Sequence, residues 1–302
     1  MANILSVIHS KKWSWGFTLG RVAEILKHHN FVKVLWDPKL NVEPDLVKFF
    51  DITFMQNVDG IKCVENKKKV VSRIGGFYMD EKNLSTRYDL ELKQVAAVIA
   101  TSEELYEVGK RVNENTFMIP NGVDLGLFKP NGNKDYDGKR PFIVGFVGNI
   151  RGVGRSYKGF SNYCQATSRL RPKVSTINLL FGDNMIPNDE MPKEFYHKID
   201  CLVLPSTGEG CSNTITEALA CGVPVICTKV GFHGERLKSE VNCLFITQTV
   251  ESIINGIECL MLCEKLRWKL AFEGRIFAEM NHDIKKIAEA YDNVFKLVLN
   301  KN

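Results

Sequence analysis

The second half of the chain contains the segment Cys201-Leu-Val-Leu-Pro-Ser-Thr-Gly-Glu-Gly-Cys-Ser-Asn-Thr-Ile-Thr-Glu-Ala-Leu-Ala-Cys-Gly-Val-Pro-Val-Ile-Cys227. Its two short apolar ends, residues 201–204 and 223–227, are typical of buried strands, and residues 213–221 have helical spacing. A loop with two glycines lies between the first strand and the helix, where the backbone can approach a ligand closely. This order of elements predicts part of a parallel sheet with a ligand site near a helix N-terminus.

The same alternation of strand and helix extends through most of the chain. Candidate strands cover residues 4–8, 32–36, 52–55, 70–74, 95–100, 116–119, 142–147, 177–181, 201–204, 223–227 and 243–246. Helical patterns fall between them, for example at 18–28, 160–170 and 250–262, and the tail from about 266 to 300 is helical by period. Such alternation predicts an α/β protein with two parallel sheets, which bind ligands beyond the carboxyl ends of their strands.

A turn-rich segment separates the two predicted sheets. It begins at Pro120-Asn-Gly122, and polar residues crowd its later part, residues 130–139. Because Pro and Asn-Gly mark turns, the domain boundary is expected here. We predict a short first domain at residues 1–125, a second domain at 126–282 and a final helix at 283–302.

The composition excludes several classes of protein. With 302 residues, 44% hydrophobic and 25% charged, the chain is typical of a globular protein, and its net charge of +5 is spread along it, which argues against a nucleic-acid-binding arm. The nine cysteines form no Cys-x-x-Cys pair, which predicts reduced thiols in a cytoplasmic protein rather than disulfides or a zinc site. No stretch approaches the roughly 18 apolar residues of a membrane span, and we expect no signal peptide.

Two carboxylates are candidates for sugar binding. Glu209 lies on the glycine-containing loop, and Glu217 lies eight residues on, about one turn into the helix. Carboxylates accept hydrogen bonds from hydroxyls, each worth about 1.5–3 kcal/mol, and the N–H groups near Ser212 and Asn213 suit a phosphate. Thr214-Ile-Thr-Glu217 is also a capping-box pattern, in which Glu217 would only close its own helix and Glu209 would be a solvated loop residue. The segment alone leaves both interpretations open.

The Glu-x7-Glu spacing closely resembles the donor-site motif of the group 1 glycosyltransferases, the retaining family-four enzymes with the GT-B fold. Three further segments resemble that family: Ile119-Pro-Asn-Gly-Val-Asp-Leu-Gly-Leu-Phe-Lys-Pro130, Ile143-Val-Gly-Phe-Val-Gly148 with Lys158-Gly159, and, loosely, Gly231-Phe-His-Gly-Glu235. The resemblance covers residues 116–300 well and the first 115 weakly. It implies two Rossmann-like, doubly wound domains that face a cleft, with the final helix bracing the first domain.

The resemblance also implies a role for each matching residue. Glu217 would hold the ribose hydroxyls of a nucleotide-diphosphate sugar, and Glu209 would bind the transferred sugar beside its anomeric carbon. Lys158 would neutralise the leaving diphosphate. Backbone N–H groups of the loop and helix start would meet phosphate or sugar oxygens: Gly210, Cys211, Ser212 and Asn213. With cations and N–H donors in these roles, we expect no metal ion and no cofactor besides the donor substrate.

The chain departs from the family pattern at an arginine. The family places this residue directly after the last glycine of the strand, where the present sequence has Asn149 and then a longer loop. Arg151 and Arg155 lie in that loop, and either side chain could reach the phosphates. We predict Arg151 as a catalytic cation and Arg155 and Asn149 as donor-binding residues, the alternative being a solvated basic loop.

A second departure concerns the acceptor side. Family members commonly carry a histidine after the strand equivalent to residues 70–74, where this chain has Gly75-Gly76. His9 follows the first predicted strand, but a residue there is more often only a strand end. This departure puts the catalytic detail, or the activity itself, in doubt.

The loop after the first strand has two tryptophans beside two lysines, Lys11-Lys-Trp-Ser-Trp-Gly16. Such a loop suits a sugar, a lipid phosphate or a weak peripheral membrane contact, although half-buried packing is the commoner role. We predict Trp15 and Gly16, together with Gly75 and Gly76, on the acceptor side.

The resemblance implies a retaining glycosyltransferase, which we expect to be independent of metal ions and to lie in the cytoplasm or at a membrane surface. It would move a sugar from a nucleotide sugar to a carbohydrate, lipid or protein-linked acceptor, and no nucleic-acid partner is expected. Asp135-Tyr-Asp137 has the spacing of a metal-binding pair but precedes its strand, so we interpret it as linker. Two alternatives stay open: a subunit that binds a nucleotide sugar without transferring it, and a nucleotide-sugar epimerase of related fold.

Overall fold

The structure is a computed structural model that describes residues 1–8, 14–35, 48–55, 61, 64, 66–75, 89–132, 136–150, 157–180 and 186–300. The chain divides into two compact units. The first comprises Met1–Gly122 together with Ile284–Asn302, and the second comprises Val123–Asp283. The first unit therefore takes its last helix from the far end of the chain.

Each unit contains one parallel sheet. The strands of the first are β1 (Asn3–Ile8), β2 (Asn30–Leu35), β3 (Ile52–Met55), β4 (Val70–Ile74), β5 (Ala97–Ala100) and β6 (Thr116–Met118). Those of the second are β7 (Phe142–Gly148), β8 (Val174–Leu180), β9 (Cys201–Leu204), β10 (Val225–Thr228) and β11 (Leu244–Ile246). Within the described residues the orders are β2-β1-β3-β4-β5-β6 and β11-β10-β9-β7-β8. The predicted α/β fold with two parallel sheets is confirmed.

Helices connect the strands in both units. They are α1 (Ser14–Ile25), α2 (Asp89–Gln94), α3 (Glu103–Val112), α4 (Phe160–Arg169), α5 (Met191–Glu194), α6 (Asn213–Ala220), α7 (Gly231–Arg236), α8 (Val250–Leu262), α9 (Glu264–Asn281) and α10 (Ile284–Asn300). The described residues also include the short 3-10 segments Lys67–Lys69 and Tyr196–Lys198. Among the described residues, none of these helices combines the length and apolar character that a membrane span requires.

The helix α10 completes the core of the first unit. Its apolar face includes Tyr291 and Phe295, both 1% exposed, and it packs against α1 and β3. The Phe54 ring meets these two rings at centroid distances of 5.8 and 6.2 Å. Because burying an aromatic side chain contributes roughly 1.5–3 kcal/mol, this face holds the helix on the sheet.

A polar cluster anchors the same helix to the end of α1. His29 Nε2 and His28 Nε2 lie 2.7 and 3.0 Å from Asp292 Oδ1, and Lys296 Nζ lies 2.7 Å from Asp292 Oδ2. The N–H of Ala2 donates to His29 Nδ1 at 3.2 Å. Burial alone would raise the pKa of Asp292, but the hydrogen bonds from the lysine and the two histidines lower it to about 2.

Some element boundaries differ from the prediction for local reasons. The strand β8 begins at Val174, three residues before the predicted start. The prediction missed this beginning because Ser175 and Thr176 are polar and because the burial of this edge strand follows no regular pattern. Helix α3 is capped by the hydroxyl of Ser102, which accepts from Leu105 N. The helical pattern predicted at 18–28 corresponds to α1, which covers residues 14–25 and ends at Ile25, a residue that is 38% exposed.

Candidate functional site

The strand order of the second unit defines where its ligand site lies. Strands β8 and β9 pair with opposite edges of β7, so the order of the sheet reverses between β7 and β9. In open parallel sheets, ligands bind beyond the carboxyl ends of the strands at this reversal. Lys158 lies on the chain that leaves β7, and Glu209 lies on the loop that follows β9.

Lys158 and Glu209, predicted from different segments, form an ion pair in the structure. The ammonium Nζ donates a short hydrogen bond to Glu209 Oε1, and each side chain is only 13% exposed. Ser206 Oγ donates to the same carboxylate oxygen at 2.8 Å, and the ammonium also lies 5.2 Å from the centroid of the Tyr157 ring. Glu209 is therefore held by specific partners and is not a solvated loop residue.

Close backbone packing fixes the position of Lys158 beside the loop. The next residue, Gly159, has φ +65°, and a Cβ atom on it would lie 2.4 Å from the carbonyl oxygen of Pro205. The side-chain amide of Gln248 donates to that carbonyl at 2.7 Å. The N–H of Thr207 donates to the carbonyl of Tyr157 at 2.7 Å, which joins the two segments directly. Only glycine fits at position 159, so Lys158 is placed by the backbone.

The start of α7 supports the Glu209 loop from the other side. The N–H of Phe232 donates to the carbonyl of Gly210 at 2.7 Å. Gly231 has φ +56°, and a Cβ atom there would lie 2.2 Å from the carbonyl oxygen of Glu209. The loose Gly-x-x-Gly-Glu resemblance in the sequence thus corresponds to a glycine that lets a helix pack directly on the candidate site.

The second glutamate lies on α6 and has partners distant in sequence. Glu217 Oε2 accepts from the hydroxyl of Tyr196 at 2.7 Å, and Oε1 accepts from the Asn188 amide at 3.4 Å. Burial raises the pKa of Glu217 to about 7, although the hydrogen bonds from Tyr196 and Asn188 act in the opposite direction. A carboxylate whose charge is poorly compensated has a strong tendency to accept further hydrogen bonds.

The capping-box interpretation of Glu217 is wrong. The N-cap of α6 is Ser212, whose hydroxyl accepts from Ile215 N at 3.5 Å, so Thr214 lies inside the helix. Asn213 is the first helical residue, and its buried Oδ1 has no hydrogen-bond partner among the described residues. An unsatisfied polar atom at a helix N-terminus is compatible with a polar ligand at this position.

The other predicted donor residues lie around this pair or outside the described residues. The buried loop between Glu209 and α6 contains Gly210, Cys211 and Ser212. Asn149 directly follows β7 and is half-buried. Arg151 and Arg155 lie outside the described residues.

The predicted acceptor-side residues belong to the first unit. The backbone of Trp15 and Gly16 lies in the first turn of α1, although the sequence predicted a loop here. Gly75 follows β4 and is half-buried, and Gly76 and His9 lie outside the described residues.

Two groups of potential metal ligands exist among the described residues: Cys211 with His233 and His282, and His28 with His29 and Asp292. In the second group, Nδ1 of His29 accepts from a backbone N–H and its Nε2 lies against Asp292, so both ring nitrogens are already used. The first group draws its members from three separate segments, which explains why no spacing in the sequence indicated it.

Comparison with solved structures shows that the chain has the GT-B fold, which the position of the site fits. Anabaena HepE, crystallised with UDP-glucose, matches with a TM-score of 0.79 at 17% identity, over 98% of this chain and 100% of the other. Sucrose-phosphate synthase from Thermosynechococcus elongatus matches with a TM-score of 0.76 at 15% identity, over 100% of both chains. At these identities the likeness establishes the fold.

Comparison of sequences shows which family this part of the chain resembles. Residues 184–276, which include both glutamates, match the model of the glycosyl transferases group 1 family. An uncharacterized glycosyltransferase of Methanocaldococcus jannaschii is 28% identical over 199 residues, 66% of this chain and 53% of the relative, and a second one from the same organism is 26% identical over 131 residues, 43% and 32%. The chain thus spans about half the length of the first relative and a third of the second. The resemblance to the group 1 glycosyltransferases is confirmed.

Several residues that shape the site carried no recognisable signal in the sequence. Tyr196 and Asn188 hold Glu217 from 21 and 29 residues away, and Gln248 reaches the loops from a segment beyond β11. Single tyrosines, asparagines and glutamines occur throughout the chain. Only the fold reveals which of them contact the site.

Proposed function

We propose that this protein is a glycosyltransferase that moves a sugar from a nucleoside-diphosphate sugar to a hydroxyl group of a carbohydrate, lipid or protein-linked acceptor. The observation that carries the proposal is the Lys158–Glu209 pair beyond the carboxyl ends of β7 and β9, with Glu217 on the helix that begins four residues later. The match of residues 184–276 to the group 1 family supports the same activity.

Each residue of the site has a distinct part in the proposed reaction. The bond between the anomeric carbon and the diphosphate oxygen breaks, and the electron pair leaves with the diphosphate, whose added charge Lys158 stabilises. Removing one such preorganised donor typically costs about 10²–10³ in rate. Glu209 binds the transferred sugar, and Glu217 accepts from the ribose hydroxyls. The acceptor oxygen bonds to the anomeric carbon, and its proton passes to the departing phosphate.

Retention of configuration and independence of metal ions form part of the proposal. Attack from the same face as departure needs no side-chain nucleophile, and the ammonium of Lys158 with the N–H groups at the start of α6 would serve the diphosphate in place of a metal ion. Addition of Mg²⁺ or Mn²⁺ is expected to leave the transfer rate unchanged, and the product is expected to have the anomeric configuration of the donor.

The first experiment is a thermal-shift screen against nucleotides and nucleotide sugars. UDP and UDP-glucose come first because HepE, which has the same fold, was crystallised with both. A ligand at one hundred times its Kd stabilises the folded protein by about 2.7 kcal/mol. A shift that Glu217→Ala abolishes and that a distant variant, Glu251→Ala on α8, retains would locate the donor at the proposed site.

Turnover then separates a transferase from a binding subunit. The transferase should slowly hydrolyse the bound donor when water replaces the acceptor, and Lys158→Met should lose this hydrolysis while remaining folded. Tight binding without hydrolysis would favour the non-catalytic subunit. Conversion of the donor to an epimer, without release of the nucleotide, would favour an epimerase.

A further inference from the structure

Three side chains of types that can ligate a metal ion meet in the interior of the second unit. Cys211 lies in the loop after Glu209, His233 lies on α7 and His282 follows the last residue of α9. The sulfur of the cysteine and one ring nitrogen of each histidine lie within 4.8 Å of one another. The three residues are 6%, 1% and 0% exposed, so they share one buried volume.

The backbone around each of these residues is held by hydrogen bonds. His282 donates its N–H to the carbonyl of Ala278 at 2.8 Å, and its own carbonyl accepts from Val123 N at 2.8 Å. The carbonyl of His233 accepts from Leu237 N at 2.9 Å. The carbonyl of Gly210, the residue before Cys211, accepts from α7. The three side chains therefore converge from fixed positions.

The hydroxyl of Thr216 contacts one of the two histidines. Its hydroxyl donates to the carbonyl of Ser212 at 3.1 Å, and His233 Nε2 lies 3.1 Å from the same hydroxyl oxygen. With the hydroxyl proton directed to Ser212, the Thr216 oxygen accepts from Nε2–H of His233. Nδ1 of His233 then carries the lone pair, as in metal sites whose histidines donate the other ring N–H to a neighbouring oxygen.

Aromatic rings surround His282 in this buried volume. The ring of His282 stacks on that of His233 at a centroid distance of 5.3 Å and meets the rings of Phe232 and Phe277 at 5.2 and 5.7 Å. Neutral imidazoles are the form that binds metal ions.

We propose that Cys211, His233 and His282 bind one zinc ion. A thiolate and two imidazoles form a donor set that suits Zn²⁺, with bonds of about 2.3 Å to sulfur and 2.0–2.1 Å to nitrogen. Tetrahedral bonds of that length separate the donor atoms by about 3.3–3.6 Å, so side-chain rotations that close the present spacing by about 1 Å form the site. Among the described residues the group has three members, so a water molecule takes the fourth position. Binding releases the thiol proton of Cys211.

The ion would stabilise the loop that carries the candidate sugar-binding residue. Cys211 is two residues from Glu209, and Thr216 is the neighbour of Glu217 on α6. Through His233 and His282, the metal joins this loop to α7 and to the end of α9. Its role is structural, and it does not depend on the proposed transfer reaction.

Metal analysis of the purified full-length protein tests the proposal. The protein is prepared without a polyhistidine tag, dialysed against metal-free buffer, loaded with Zn²⁺ and dialysed again. We expect about one zinc per chain by mass spectrometry of the metal content. Cys211→Ser and His282→Asn should each lose it, and the matched control Cys164→Ser, which removes a half-buried thiol of α4, should retain it.

Replacement by Co²⁺ identifies the ligands without relying on variants. Bound cobalt should show an intense thiolate charge-transfer band and the strong visible bands of a four-coordinate site.

Thr216→Val should weaken metal binding by 10- to 100-fold with the charge-transfer band preserved, because it removes only the partner of His233. A wild-type protein that binds no zinc after dialysis, zinc that persists in Cys211→Ser, or cobalt without a thiolate band would each overturn the proposal.

Discussion

Replacing Glu217 with glutamine should stabilise the folded protein while weakening its binding of nucleotide. The carboxyl group has a pKa raised from 4.5 to about 7 because it is buried, so ionising it costs folding free energy. Above pH 7 the wild-type protein keeps a charged carboxylate there, whereas glutamine is neutral and has nearly the same shape. The variant therefore avoids the unfavourable free energy of keeping a buried carboxylate charged.

The magnitude follows from the shift in pKa. Each unit corresponds to about 1.4 kcal/mol, which gives an upper value near 3.4 kcal/mol for the step from 4.5 to 7. Partial exposure of the side chain, and the weaker hydrogen bond that Tyr196 makes to a neutral amide, reduce this to about 1–3 kcal/mol. In a domain of this size the melting temperature should rise by roughly 2–10 °C at pH 8.

The dependence of the unfolding free energy on pH tests separately whether the substitution is stabilising. Because the folded protein binds the proton more tightly than the unfolded chain, the stability of the wild type falls as pH rises from about 4.5 to about 7. Glu217→Gln should match the wild type near pH 4 and exceed it progressively through this window. Denaturant titrations at pH 4, 6 and 8 measure the difference. Parallel curves for the two proteins, or a variant that is less stable at pH 8, would refute this reasoning.

Three further outcomes are expected. Lys158→Met should lower the free energy of unfolding by about 2–4 kcal/mol, because the Glu209 carboxylate stays buried without its cation. In denaturant titrations, the double variant that also carries Glu209→Gln should recover more than half of this loss. Gly231→Ala should destabilise the protein by about 1–3 kcal/mol, and calorimetry should show at least tenfold weaker nucleotide binding, because the new Cβ displaces the Glu209 loop. Asp292→Ala should cost about 2–4 kcal/mol at pH 7, and this difference should vanish as pH falls from about 4 to about 2, the pKa of the carboxyl in the folded protein. Hydrogen exchange of the α10 amides would follow the last effect, and unchanged exchange would contradict it.

The fold was predictable because each strand of the two sheets is a short apolar run between helical patterns. The strands β3, β4 and β9 begin and end where the sequence predicts, at residues 52–55, 70–74 and 201–204. Their central position buries both faces, which produces an unbroken apolar run. The edge strand β8 is half-exposed, and because its first residues are polar, the sequence did not predict where it begins.

The candidate site was predictable only in part. Glu209, Glu217 and Lys158 lie in segments whose glycines and spacing resemble a known family, so the sequence indicated them. The contact of Tyr196 with Glu217 and the group of Cys211, His233 and His282 depend on residues 21 to 71 positions apart. Spacing rules describe contacts within one helix, strand or loop, and such distant contacts leave no local pattern.

The return of α10 to the first unit determines the order in which the protein is completed during synthesis. The segment Met1–Gly122 leaves the ribosome first but lacks the helix that covers Ile4 and Phe54 until roughly 160 further residues have been made. At 5–20 residues per second this interval lasts about 8–30 s. The second unit can fold in that time. The nascent first unit meanwhile exposes an uncovered apolar sheet face to chaperones and to other chains. The part translated first is therefore the last to become native, and truncation after Asp283 would leave that part permanently unfinished.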